Sequence, residues 1–187
     1  MQIDRFDLEG PLVIKPRRHG DARGWFTEHY NERALAQAGF EARFVQDNLS
    51  MSAKTGTLRG LHYQAAPQAQ GKLVSVVRGA IIDVVVDVRE GSPGFARHIR
   101  AELTAENGRQ IWVPPGFLHG FVTLQPDTLV LYKVTEHYSA EHDGAVAWDD
   151  PDLAIDWGVA APVLSDRDAA APRLREIAPL FAQPVEA

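Results

Sequence analysis

Alternation of apolar and polar side chains, the mark of a half-buried strand, dominates the middle of the chain. It is clearest where Ile82, Val84, Val86 and Val88 share one face and Asp83, Val85, Asp87 and Arg89 the other. Residues 72–77 form a second strand before it, and Arg78-Gly79 between the two predicts a hairpin. Further strands are expected over residues 24–30, 44–51, 57–64, 97–103, 110–113, 120–124 and 129–135. Turn signals such as Glu106-Asn107-Gly108 and Gln125-Pro126-Asp127 separate them. Many short strands at this spacing predict a sandwich or barrel. Helix signals are confined to two places. Asn31 is an N-cap for residues 32–38 with Gly39 at the end, and the tail over 172–181 is helix-permissive but broken by Pro179. The aromatic stretch 148–157, with Asp149-Asp150-Pro151, is expected to pack as a loop across the barrel, and no repeat, low-complexity run or linker interrupts the chain.

At 187 residues the chain has room for one domain with a substantial core. The expected division is an N-terminal arm over about residues 1–50, a barrel core over about 51–140 and a C-terminal segment over about 141–187. No apolar run approaches the roughly 20 residues of a membrane helix, and Met1-Gln2-Ile3-Asp4-Arg5 lacks the basic and apolar regions of a signal peptide. A soluble, unprocessed, cytoplasmic protein is expected. With no cysteine, disulfides, thiol catalysis and thiolate zinc sites are excluded. A net charge of -6 argues against nucleic-acid binding, which runs on a basic face, but leaves room for one phosphorylated ligand held by a local cluster of arginines.

Two histidines change the picture. Gly108, five residues, Pro114-Pro115-Gly116 and then Phe117-Leu118-His119 fit the second motif of the cupin barrels. The first motif fits only in part: Gly56 and His62 stand as expected, but Gln64 takes the place of a second His, and Lys72, ahead of Gly79, that of the carboxylate. A divalent metal favours imidazole and carboxylate oxygen, and an ammonium among its ligands repels it. Two histidines and a lysine in one barrel point to proton chemistry on an anionic or carbonyl-bearing substrate.

Each candidate also has a plain structural role. A strand histidine such as His62 is usually a hydrogen-bonded core residue, but the first cupin motif projects into the barrel mouth. A regular strand puts His62 and Gln64 on one face and Arg59 on the other, unless Gly60 bends it. Lys72 at a strand end usually snorkels; here it stands in the vacated carboxylate slot. Tyr132 shares a face with Val130 and Val134, as a core tyrosine would. Arg23, Arg59, Arg167 and Lys72 are the candidate phosphate grips. Asp83 and Asp87 need partners, either a site histidine or an arginine.

Taken together, these residues resemble the dTDP-4-dehydrorhamnose 3,5-epimerase family nearly end to end. The resemblance is carried by Asp21-Ala22-Arg23-Gly24-Trp25-Phe26-Thr27-Glu28, Gln46-Asp47-Asn48-Leu49-Ser50, Leu58-Arg59-Gly60-Leu61-His62-Tyr63-Gln64 and Lys72-Leu73-Val74. It continues through Asp83-Val84-Val85-Val86-Asp87-Val88-Arg89, Pro115-Gly116-Phe117-Leu118-His119-Gly120-Phe121, Tyr132 and Leu164-Ser165-Asp166-Arg167-Asp168. It implies an all-β cupin jelly roll with a few short peripheral helices, forming a homodimer without metal or other cofactor. It also implies a dTDP-4-keto-6-deoxyhexose substrate from the rhamnose branch of nucleotide-sugar synthesis. By the same resemblance His62 is the base, Asp168 orients it, Tyr132 is the acid and Lys72 lies at the sugar ketone. Arg23, Glu28, Gln46, Asp47, Asn48, Arg59, His119 and Asp143 fall at substrate-binding positions, Tyr138 at one that stacks on thymine, and Arg167 near the diphosphate. His19, Leu118 and Asp143 depart from the more usual Phe, Ala and Glu, which bears on affinity for the base and leaves the proton-transfer set intact.

A keto group at C4 acidifies the hydrogens on C3 and C5 alike, so one base, one acid and one oxyanion donor serve both centres. Imidazole, with an ordinary pKa of about 6.5, suits the base, and a lysine ammonium suits the charge developing on O4. Two alternatives share much of this set. One is an epimerase acting at a single centre; the other is a non-catalytic sugar-nucleotide-binding cupin, which has no need of the base–acid pair.

Overall fold

The structure, a computed structural model, describes residues 1–177 and Phe181. Numbered along the chain, a six-stranded sheet runs in the order β1 (Gln2–Arg5), β2 (Leu12–Lys15), β10 (Gln110–Val113), β7 (Lys72–Arg78), β12 (Thr128–Val134) and β5 (Gln46–Ser52). Facing it, a five-stranded sheet runs β13 (Asp143–Ala145), β6 (Leu58–Gln64), β11 (Phe117–Thr123), β8 (Ala80–Asp87) and β9 (His98–Thr104). β3 (Arg18–Asp21) and β4 (Gly24–Thr27) form a separate hairpin. All named pairings are antiparallel. Two stacked antiparallel sheets of this kind make the expected jelly roll.

Alternation assigns each strand residue a side. Val74, Val76, Ile111, Val113 and Val130 of one sheet meet Ile81, Val85, Leu103, Phe117 and Phe121 of the other in the core between them. The outer face of the five-stranded sheet, with Leu58, Leu61, Val84, Val86, Leu118 and Val122, is covered by Val146, Leu153, Trp157 and Phe181. The stretch 148–157 thus packs on the barrel as expected, through Leu153 and Trp157, and is closed on itself by the bond from the Trp157 indole N–H to the Trp148 carbonyl at 2.8 Å. Leu12, Ile14, Leu73 and Trp112 on the outside of the six-stranded sheet are covered by Leu35 and Phe40. Leu35 belongs to α1 (Glu32–Gln37), which Asn31 caps by accepting from the Ala34 N–H, as its sequence predicts.

Several expectations are corrected. Residues 78–79 are not a hairpin turn, because β7 and β8 belong to different sheets. Gly79, at φ +84°, is a corner at which the chain switches sheets. Its hypothetical Cβ would collide with the Thr128 hydroxyl, so the corner excludes a side chain. The tail is not a long helix. Leu174–Glu176 is a single 3-10 turn, and residues 178–180 of that expected helix lie outside the described residues. α2 (Asp166–Ala169) and the strands β1, β2, β3 and β13, each of three or four residues, carry too short a pattern to be read from periodicity.

One irregularity positions the site. His119 pairs with His62 and Phe121 with Arg59, so one residue of β11, Gly120, stands against two of β6, Gly60 and Leu61, with Gly60 at φ +136°. A Cβ on Gly60 would lie 2.5 Å from the Gly120 Cα and 2.9 Å from the His119 carbonyl oxygen. Only glycine permits this approach. Gly60→Ala is therefore expected to lower the unfolding free energy by at least about 2 kcal/mol in a urea titration. Unchanged stability would show that the two backbones part at little cost.

Candidate active site

The bulge brings Arg59 onto the same face as His62, because their partners Phe121 and His119 both point into the barrel. Strand β6 thus offers two functional side chains to the interior where a regular strand would divide them. Arg59 is held from behind: its Nε donates to Ser52 Oγ at 3.2 Å and its Nη2 to the Met51 carbonyl at 3.0 Å.

His62 Nε2–H donates to Asp168 Oδ1 at 2.6 Å. Asp168 is buried on α2, whose N-cap, Ser165 Oγ, accepts the Asp168 N–H at 3.1 Å. Burial works to raise the Asp168 carboxyl, but the His62 bond and charge, the Ser165 hydroxyl and Arg167 outweigh it and hold it below the ordinary carboxylate value. A carboxylate only accepts, so the neutral imidazole carries its proton on Nε2 and leaves the Nδ1 lone pair for a substrate proton.

A second histidine–carboxylate pair stands beside the first. His119 donates from Nε2 to Asp83 Oδ2 at 2.8 Å, and both residues are buried. Burial raises the Asp83 pKa against the opposing effects of His119 and Lys72. Asp87, four residues on, takes Arg89 instead, with Nε–Oδ1 at 2.9 Å and Nη2–Oδ2 at 2.7 Å. The two aspartates of one strand therefore take the two kinds of partner open to them, and only Asp83 belongs to the site.

The opposite wall is the six-stranded sheet. Tyr132 lies opposite Val74 on β7 and Asn48 on β5, while Val134 lies opposite Lys72 and Gln46. This places Lys72, Tyr132, Gln46 and Asn48 on the inner face, where Gln46 donates to Asn48 Oδ1 at 2.8 Å. Burial raises the Tyr132 phenol, with Arg59 opposing and Asp143 adding to the rise, so it is a proton donor at neutral pH. Burial lowers Lys72 from 10.5 to about 8, while Asp143 and Asp83 favour its charge and Arg167 opposes it.

At the rim, Arg167 Nη1 meets Asp143 Oδ2 at 2.7 Å, and the Tyr138 hydroxyl donates to the same oxygen at 3.3 Å. Other sequence candidates lie elsewhere. Asp47 is on the outer face of β5, paired with Lys133 at 2.9 Å. Arg23, on the β3–β4 turn, pairs with Asp21 at 2.6 Å and is 89% exposed, while the exposed Glu28 accepts from Asn31 Nδ2 at 3.0 Å. Sequence reasoning missed Ser52 and Ser165 as supports, and small polar residues carry no signal for such roles. Among the described residues no three His, Asp or Glu side chains lie close enough together to hold a metal ion, and no helix is long and apolar enough to cross a membrane.

The fold and site define a cupin-type jelly roll whose interior carries acid–base groups on both walls. Residues 5–176 match the dTDP-4-dehydrorhamnose 3,5-epimerase family. The enzyme of that name from Sinorhizobium fredii is 51% identical over 95% of this chain and 91% of its own. The dTDP-4-dehydrorhamnose 3,5-epimerase of Bacillus anthracis, solved with TDP and PPi bound, superposes with a TM-score of 0.90 at 50% identity, covering 92% of this chain and 98% of its own. The dTDP-6-deoxy-D-glucose-3,5-epimerase of Legionella pneumophila, in complex with dTDP-4-keto-L-rhamnose, superposes at 0.91 with 43% identity over 99% of this chain and 98% of its own. The chain belongs to the dTDP-4-dehydrorhamnose 3,5-epimerase family.

The electrostatics can be checked directly. With lysine Nζ labelled by ¹⁵N, Lys72 should titrate near pH 8, well below the ordinary 10.5. Asp143→Asn should move that midpoint lower, because it removes the carboxylate that most favours the ammonium. A Lys72 midpoint near 10.5 would show its ammonium to be solvated.

Proposed function

We propose that the chain converts dTDP-4-dehydro-6-deoxy-D-glucose to dTDP-4-dehydro-L-rhamnose, epimerising C3 and C5 by enolisation without a metal. The observation that carries this reading is the placement of the His62–Asp168 pair on one wall against Tyr132 and Lys72 on the other. His62 Nδ1 takes the proton from the carbon next to the ketone, and the C–H electron pair becomes the enolate with its charge on O4. The Lys72 ammonium meets that charge in a site of low dielectric, where such stabilisation is large. The Tyr132 phenol gives its proton to the opposite face of the same carbon, which inverts it. His119 and Asn48 hold sugar hydroxyls, Arg59 and Arg167 the diphosphate, and Tyr138, 61% exposed, stacks on the nucleobase.

We further propose a homodimer. The β5 edge and its neighbours expose Leu49 (63%), Met51 (53%) and Val77 (52%), and the β3–β4 hairpin exposes Trp25 and Phe26. Apolar surface of this kind marks a protein contact, and a second copy burying the hairpin would give Arg23 and Glu28 a role that solvent exposure in one chain does not. Sedimentation should show a dimer that Leu49→Glu dissociates; a monomeric wild-type protein overturns the proposal.

Epimerisation is tested in heavy water. Wild-type enzyme should carry deuterium into C3 and C5 with inversion, whereas His62→Ala should lose exchange at both by about 10²–10⁴-fold. Tyr132→Phe keeps the ring packing and removes the donor, so it should exchange, at least at C5, yet form little L-rhamno product. Inverted product at the wild-type rate would assign the acid to another group.

A further inference from the structure

Gln64 lies two residues beyond His62 on β6 and is 5% exposed. Its amide is engaged at every atom, and always with loop backbone. Oε1 accepts the Ser139 N–H at 3.0 Å, while Nε2 donates to the His137 carbonyl at 3.0 Å and to the Gln68 carbonyl. The two bonds to residues 137 and 139 bracket Tyr138 from either side. The same loop is laced to residues 65–71 by Ala65 N–H to the His142 carbonyl at 2.9 Å, Gln70 Nε2 to the Glu136 carbonyl at 2.7 Å and Gly71 N–H to Thr135 Oγ1 at 2.8 Å. The loop turns back on itself through Ser139 Oγ and His142 Nδ1 at 2.7 Å. Tyr138 then reaches Asp143, whose partner Arg167 precedes Asp168 in α2.

We propose that Gln64 is a positioning residue for nucleotide binding: its amide clamps the backbone on both sides of Tyr138 and so fixes the rim against the strand that carries His62. This rests on the placement of Tyr138 against the nucleobase proposed above. The physical reason is pre-organisation. A loop held in one conformation before the ligand arrives loses less entropy on binding. An amide suits the task because it donates and accepts at once, where a histidine at the same point could not satisfy two carbonyls and an N–H together. The clamp should therefore act on ligand affinity and leave the proton-transfer steps largely alone.

The test is a double-mutant cycle with Gln64→Met, which keeps the volume and removes the amide, and Tyr138→Ala. Gln64→Met should weaken dTDP binding in calorimetry about tenfold and raise KM similarly, with kcat changed by less than about threefold. In the double mutant dTDP should bind no more weakly than to Tyr138→Ala alone, because the clamp acts through that side chain. Wild-type affinity in Gln64→Met, fully additive losses in the double mutant, or a fall confined to kcat would each overturn the clamp. If Tyr138→Ala itself binds dTDP as the wild type does, the nucleobase placement falls and the proposal with it. Should Gln64→Met not fold, Gln64→Glu keeps the acceptor for Ser139 and loses donor capacity. The same split between KM and kcat, at an equal or larger loss because a carboxylate oxygen then faces two carbonyls, is the deciding result.

Discussion

The close approach of two backbones at Gly60 and Gly120 is the constraint on which the rest of the site depends. Strand side chains alternate, so a regular β6 would divide Arg59 and His62 between core and exterior. The bulge adds one residue on β6, shifts the register once, and puts both side chains into the barrel while leaving the outward Leu58 and Leu61 in the outer layer. His62 then sits directly across from His119, and each histidine finds a carboxylate from a different part of the chain. A close contact between glycines thus decides which chemical groups meet.

Charge inside a barrel is costly, and the site handles it by opposition. Lys72, Arg59 and Arg167 share the interior and rim with Asp83, Asp143 and Asp168. No single ion pair dominates Lys72. Burial pulls its proton off, two carboxylates hold it on, and the balance near pH 8 leaves it mostly charged at neutrality. Tyr132 is moved the other way by the same burial and stays protonated. The same burial on one sheet therefore leaves a cation at Lys72 and a neutral phenol at Tyr132, the two forms that the proposed enolisation requires. His62 stands apart from both on the facing sheet.

The sequence made the long strands and the chemistry legible because both rest on local pattern. Residues 82–88 alternate, and His62, Lys72 and His119 stand at cupin spacing. What was not legible is non-local. Arg78-Gly79 has the composition of a hairpin turn, yet whether two strands pair or part at a corner depends on which sheet each joins. The strands β1, β2 and β13 exist because neighbouring strands offer them hydrogen bonds. That Asp168 rather than another acid would reach His62 from 106 residues away came only with the family resemblance, and in the fold it stands there at 2.6 Å. For Asp83 and Asp87 the residues left histidine and arginine equally open, and tertiary packing chose one of each.

Gln64 shows how a vacated ligand position can be reused. Read against metal-binding barrels it is a lost histidine, and with Lys72 it argues against a cation at that point. The structure gives it different work, because its whole amide is spent on loops. The two substitutions fit together in one physical account. A metal would polarise the ketone and anchor the surrounding loops by its ligands; in the proposed mechanism Lys72 supplies the charge instead, and in the proposed clamp hydrogen bonds from Gln64 supply the rigidity. Charge and rigidity are then carried by separate residues on separate sheets, and Asp143 joins them, because it meets Tyr138 and Arg167 at the rim while favouring the Lys72 ammonium.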